Sequence, residues 1–130
     1  MGDILEISCG GCGYREEFRL GQGLLYEEIP DVLVAMEIPG KAMQEEIFTL
    51  REESGIRQKA WRTLAVCRRC GRIVSRFVLE IRRGKRVYRT RHRCTHCNKY
   101  LEYLEPQEAV CLPCPRCGGT LQARSTGSWD

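Results

Sequence analysis

Eight of the nine cysteines in this 130-residue chain fall into four Cys-x-x-Cys pairs: Cys9/Cys12, Cys67/Cys70, Cys94/Cys97 and Cys114/Cys117. Two such pairs supply four thiolates, the ligand number of a closed tetrahedral metal centre. The chain therefore reads as one built around two structural metals. The residue after each second cysteine supports this: Gly13, Gly71, Asn98 and Gly118. A knuckle turning tightly around a metal needs a positive φ there, which glycine adopts freely and asparagine tolerates. All four pairs meet that requirement independently.

Disulfides are the competing use of cysteine. The odd count and the adjacent spacing argue against a disulfide framework. The opening Met-Gly-Asp-Ile-Leu-Glu-Ile lacks the basic and apolar regions of a secretory signal. A reducing, cytoplasmic setting is the expectation. No apolar run approaches the roughly 20 residues of a membrane helix, so no membrane partner is expected.

The motifs CGGCG (9–13), CRRCG (67–71), CTHCN (94–98) and CPRCG (114–118) resemble the knuckles of the zinc-ribbon superfamily and the rubredoxin-like group. The resemblance covers the knuckles and their flanking strands, not residues 24–60. It implies a fold more firmly than a function. The implied cofactors are two Zn2+, with iron fitting the same thiolate geometry.

Four pairs combine in three ways. Sequential pairing joins 9/12 with 67/70 and 94/97 with 114/117. Nested pairing joins 67/70 with 94/97 and 9/12 with 114/117. Cross-brace pairing joins 9/12 with 94/97 and 67/70 with 114/117. Loop length favours the sequential scheme, because the 94/97 and 114/117 pairs are separated by a typical ribbon spacing. The expected fold is then α+β: a first ribbon over 1–93 carrying a helical insertion (24–60) and a basic hairpin (72–93), a second small ribbon over 94–124, and a disordered tail at 125–130. Cys111 is expected as a buried structural cysteine outside the ligand set, although its spacing would let it replace Cys117. His92 and His96 flank the third knuckle, but eight cysteines leave them no necessary role as ligands.

Strands are expected at 4–8, 14–20 and 60–66, and a short helix at 31–37. Residues 41–54 carry the clearest helical stripe, with Met43, Ile47, Leu50 and Ser54 on one face and Gly55 at its end. Residues 72–82 and 86–93 read as a hairpin about Gly84. A type II′ turn at Gly84-Lys85 would oppose Ile81 to Tyr88 and Glu80 to Arg89, and a turn at Arg83-Gly84 would shift the register while keeping the same faces. Ile73, Ser75, Phe77, Leu79 and Ile81 then share the core face, with Tyr88 and His92.

Charge is distributed unevenly. Residues 67–99 carry twelve Lys/Arg and one acid, Glu80, for a net +11, whereas residues 1–66 carry a net −5. Arg72, Arg76, Arg89, Arg91 and Arg93 are expected on one hairpin face, the candidate nucleic-acid contact. An acidic protein partner, or compensation of acidic residues and thiolate charge within the molecule, would use the same arginines. Catalysis is not expected. Two four-cysteine sites leave no open metal position, and no deaminase, metalloprotease or P-loop motif occurs. Glu27, Glu28 and Asp31 are close in sequence, as solvated acids on loops usually are. The functional expectation is a non-enzymatic nucleic-acid-binding module; the alternatives are an adaptor or maturation factor, or a rubredoxin-like electron carrier.

Overall fold

A computed structural model describes residues 2–23 and 25–129, the side chains of Leu25 and Glu27 excepted. Leu24, the first residue of the expected insertion, and Asp130 lie outside the described residues. The architecture is mixed α+β. Seven antiparallel strands run as β1 (Gly2–Cys9), β2 (Arg15–Gly21), β3 (Arg57–Val66), β4 (Ile73–Arg83), β5 (Arg86–Arg89), β6 (Glu102–Leu104) and β7 (Leu121–Trp129). The sheet order is β5-β4-β3-β2-β1-β7, with β6 added to β3. Three short helices, α1 (Leu25–Glu28), α2 (Asp31–Glu37) and α3 (Lys41–Arg51), separate β2 from β3. Among the described residues no helix is long and apolar enough to cross a membrane.

Two hairpins with knuckles as their turns organise the sheet. β1 and β2 flank the first knuckle, and β3 and β4 flank the second. β7 pairs with the outer edge of β1, from Cys9↔Leu121 to Gly2↔Trp129. The two hairpins meet in the sheet at Gly21↔Arg62. Two cores follow from this division. One gathers Ile7, Phe18, Leu20, Leu64, Val66, Leu104, Leu112 and Leu121 near the first and fourth knuckles. The other places Ala60, Phe77, Leu79 and Ile81 of β3–β4 under Tyr26, Leu33, Val34, Ile38 and Ile47 of the helices. Burial of these apolar side chains contributes about 1.5–3 kcal/mol each for the larger ones. The helices thus cover one face of the β3–β4 hairpin. The cross-strand register puts Lys59, Trp61, Thr63, Arg76, Val78, Glu80 and Arg89 on the other.

The stripe expected on α3 is core: Ile47 is fully buried, and Met43, Phe48 and Leu50 pack against the same cluster. The helix stops at Arg51 rather than Ser54. The β4–β5 register is the one a Gly84-Lys85 turn dictates, with Glu80 opposite Arg89 and Ile81 opposite Tyr88. However, β5 ends at Arg89, four residues short of the expected Arg93. The reason is local. The Leu79 amide donates to Thr90 Oγ1 at 3.0 Å, so a side chain replaces a carbonyl in the ladder. The chain then leaves as an irregular segment toward the third knuckle.

The tail expected to be disordered is instead ordered through Trp129. Gly127 and Ser128 pair with Ile4 and Asp3. The Trp129 indole N–H donates to Leu20 O at 3.0 Å, and its ring meets Tyr26 edge-on at 5.6 Å. A polar, glycine-containing segment gave no sign of order, but one aromatic anchor at its end binds it to β2 and α1.

Candidate metal centres and the adjacent basic face

Each knuckle has the same backbone wiring. The first cysteine's N–H donates to the carbonyl five residues on, and its own carbonyl accepts from the N–H four residues on. The four N-terminal bonds run Cys9 to Tyr14 (2.8 Å), Cys67 to Arg72 (3.0 Å), Cys94 to Lys99 (2.7 Å) and Cys114 to Gly119 (2.8 Å). The residue closing each turn has positive φ: Gly13 at 79°, Gly71 at 77°, Asn98 at 55° and Gly118 at 78°. Gly119 N–H and Arg116 N–H also point at Cys117 and Cys114 Sγ, both at 3.4 Å.

The thiols form two groups of four, Cys9/Cys12/Cys114/Cys117 and Cys67/Cys70/Cys94/Cys97, with ligand atoms in each lying within 4.8 Å of one another. Sulfur–sulfur separations are 3.6 Å (Cys9–Cys117), 3.5 Å (Cys12–Cys114) and 3.8 Å (Cys70–Cys94). A tetrahedron with Zn–S bonds of about 2.3 Å has an edge of about 3.8 Å. A disulfide would bring the sulfurs to about 2.05 Å, and all nine cysteines are free. The molecule therefore carries two zinc-ribbon-like four-thiol sites, each suited to one metal ion.

The pairing is nested, not sequential. Loop length was the wrong criterion because closure entropy grows only logarithmically with length. Strand register decides instead. β1 pairs with both β2 and β7, so the first and fourth knuckles meet at one end of the sheet despite a sequence separation of 108 between Cys9 and Cys117. The second site draws one pair from either side of residue 93/94. Its longer internal spacing is taken up by β4 and β5 folding back on each other.

Two further expectations are corrected or placed. Cys111 is exposed, not buried, at the end of a 3-10 helix (Pro106–Cys111), and it belongs to neither group. His92 is buried with Nε2 2.6 Å from Phe77 O; burial, ahead of the neighbouring Arg76, holds its pKa below the usual 6.5. His96 is exposed on the third knuckle and joins neither thiol group. Asp31 of the acidic trio takes Arg51 at 2.9 Å, and Glu28 is exposed.

The free thiols do not ionise alike. The Cys70 backbone N–H, acting against burial and helped by the Arg69 N–H, draws Cys67 down to about 6. Burial opposes ionisation of Cys114, yet the N–H groups of Cys117 and Arg116 and the thiols of Cys12 and Cys9 bring it to about 6. Burial and the neighbouring Cys70 and Cys67 push Cys97 up to about 12. In each site the backbone N–H groups thus favour thiolate at the first cysteine of each pair. A bound divalent ion would displace the remaining protons.

The five singled-out arginines occupy three environments. Arg89 donates to Glu80 Oε1 at 2.5 Å, and Arg82 donates to the same carboxylate at 3.1 Å. These bonds hold the buried Glu80 below the ordinary carboxylate range. Arg76 is half-buried and donates to Ser75 O at 3.0 Å; burial, then Arg62 and Arg72, lowers its affinity for a proton. Arg72, exposed, reaches Thr95 Oγ1 at 3.3 Å across the second metal site. Arg91 and Arg93 lie beyond the end of β5, exposed, with their guanidiniums 3.6 and 4.0 Å from the centre of the Tyr100 ring. Arg93 also donates to Asn98 O at 3.0 Å.

At the hairpin tip, cross-strand repulsion between Arg83 and Arg86 is eased by Glu53, which takes Arg83 at 2.9 Å. Arg69, Arg72, Arg91, Arg93 and Lys99 have no carboxylate within ion-pair distance among the described residues. Sequence reasoning passed over Trp61, Tyr100 and Tyr103. Trp61 was legible from alternation along β3, whereas Tyr100 is placed only by the isolated bridge Arg93↔Tyr100.

The chain matches no protein-family model, no curated protein and no solved structure.

Proposed function

We propose that this is a non-enzymatic nucleic-acid-binding module, held rigid by two zinc ions and contacting phosphates through the basic face beside the second metal site. The observation that carries the reading is the pair Arg91 and Arg93, exposed over Tyr100 and without a carboxylate partner among the described residues. Cationic side chains fixed on a ring lose less entropy on binding an anion than free ones do. Arg72, Arg69 and Lys99 extend the positive surface around the second site, where four thiolates on a divalent ion leave a charge of about −2. Glu80 pairs with Arg82 and Arg89 and Glu53 with Arg83, so the contact surface is smaller than the +11 segment suggests.

Zinc rather than iron is proposed because the knuckles sit in a purely structural frame. Elemental analysis of purified protein should give two zinc per chain, and visible absorption of an iron–thiolate type would contradict the assignment. Binding of the metal-loaded protein to DNA and RNA, measured at low and moderate salt, tests the reading. Affinity should fall steeply with salt, the slope counting the phosphate contacts. No binding at low salt would return the arginines to charge compensation.

A further inference from the structure

The proposed contact face is not merely basic. On it, aromatic rings alternate with cationic groups. Trp61, on β3, lies under Lys59 Nζ at 5.4 Å and the Arg89 guanidinium at 5.9 Å. Tyr103 of β6 donates its hydroxyl to Thr90 O at 2.5 Å, and it feels the charge of both Arg89 and Arg91. Tyr100 follows, with Arg91 and Arg93 over its ring and 44% of its surface exposed. The order along this face is Trp61, Arg89, Tyr103, Arg91, Tyr100, Arg93. Register explains it: Lys59, Trp61 and Arg89 share the face opposite the helices, and Tyr103 pairs with Ala65 on the same side.

We infer that the ligand of this face is single-stranded nucleic acid, whose bases stack on the Tyr100 and Trp61 rings and on the arginine planes while the phosphates meet the cations. This rests on the nucleic-acid reading above and narrows it. The physical argument is one of access. In a duplex the bases are stacked on each other and the sheet face can reach only the backbone. A single strand offers unstacked bases and phosphates together, and each base–ring stack adds affinity that does not depend on salt or strongly on sequence. Tyr100 is the most exposed of the three rings, and because Arg91 and Arg93 lie over it a base reaches it by stacking on or displacing a guanidinium. Trp61 and Tyr103 are half-buried. The guanidiniums over the Tyr100 ring are themselves planar and delocalised, so a base can stack on them in turn.

The test uses the zinc-loaded full chain and three probes of equal length: a mixed-sequence oligoribonucleotide, the corresponding oligodeoxyribonucleotide, and the DNA duplex. Either single strand should bind at least about tenfold tighter than the duplex at the same salt. Tyr100→Ala should weaken single-strand binding about 5- to 150-fold while leaving duplex binding and the salt slope close to those of the parent. Tyr100→Phe, which keeps the ring, should retain most of the affinity. Both variants should hold two metal ions, because Tyr100 lies outside both apolar cores. Equal affinity for duplex and single strands, with Tyr100→Ala changing both alike or neither, would overturn the stacking inference and leave phosphate binding standing. Absence of binding to all three probes would overturn both.

Discussion

The two ribbons use the same knuckle and do different work. The first joins the ends of the described chain: β1, β2 and β7 converge on Cys9, Cys12, Cys114 and Cys117, with a sequence separation of 102 from Cys12 to Cys114. Arg116 is the one cation within its knuckles. The second is local, with Cys70 and Cys94 separated by 24 residues, and its knuckles carry Arg68, Arg69, His96 and the flanking Arg72 and Arg93. The same four-thiol arrangement therefore stands once where β1, β2 and β7 converge and once among exposed arginines. The ribbon set inside the other also packs against the helices, while Leu64, Val66 and Ile73 of its hairpin join the core beside the first site.

The largest expected effect exploits this difference. Cys114→Ser and Cys94→Ser should each lose one of two metal equivalents. In Cys114→Ser, hydrogen exchange should accelerate across β1, β2 and β7 while Phe77, Leu79 and their β3 partners stay protected, since the β3–β4 hairpin keeps its own site and helices. Cys94→Ser should deprotect the β3–β4 end and the Arg91–Tyr100 segment. Uniform collapse in both would show that the ribbons are one cooperative unit. Chelation of both ions should abolish the fold, because structural zinc contributes on the order of 10–16 kcal/mol.

A smaller effect tests the first ribbon from its other end. Trp129→Ala removes the indole bond to Leu20 O and the edge contact with Tyr26. We expect a loss of about 2–4 kcal/mol by denaturant titration, with fraying confined to β7. A change under about 0.5 kcal/mol would mean the tail is held by strand pairing alone.

The smallest effect concerns pH and the second ribbon. His92 has a folded pKa depressed below 6.5 by burial. The unfolded chain therefore takes the proton first. The contribution of neutral His92 is complete above about pH 6.5 and is lost as pH falls through the lower folded value. Proton titration by NMR should find the His92 imidazole titrating below the ordinary histidine value of about 6.5. A midpoint above that value would show that the Phe77 carbonyl bond outweighs burial.

How much of this was legible beforehand depends on range. The knuckles were, because a positive φ at Gly13, Gly71, Asn98 and Gly118 is a requirement of a few residues. So were α2, the α3 stripe and the Glu80–Arg89 register, all set by local periodicity and one turn. The thiol pairing was not, because it follows from β1 pairing with β7, and nothing in the spacing of the cysteines encodes that. The end of β5 turned on a single hydroxyl, Thr90 Oγ1, bonding to Leu79 N–H. The aromatic members of the basic face were missed because Trp61 and Tyr100 come from different segments and meet the arginines only once the sheet is assembled.

Charge reversal on the second ribbon tests the central claim most directly. Arg91→Glu/Arg93→Glu should abolish nucleic-acid binding while the protein retains two metal ions. Arg19→Glu/Lys41→Glu, an equal change in net charge placed on exposed positions of β2 and α3, should leave most of the affinity. Equal losses from the two double variants would mean that binding follows net charge alone, contradicting the assignment of the contact to the face beside the second metal site.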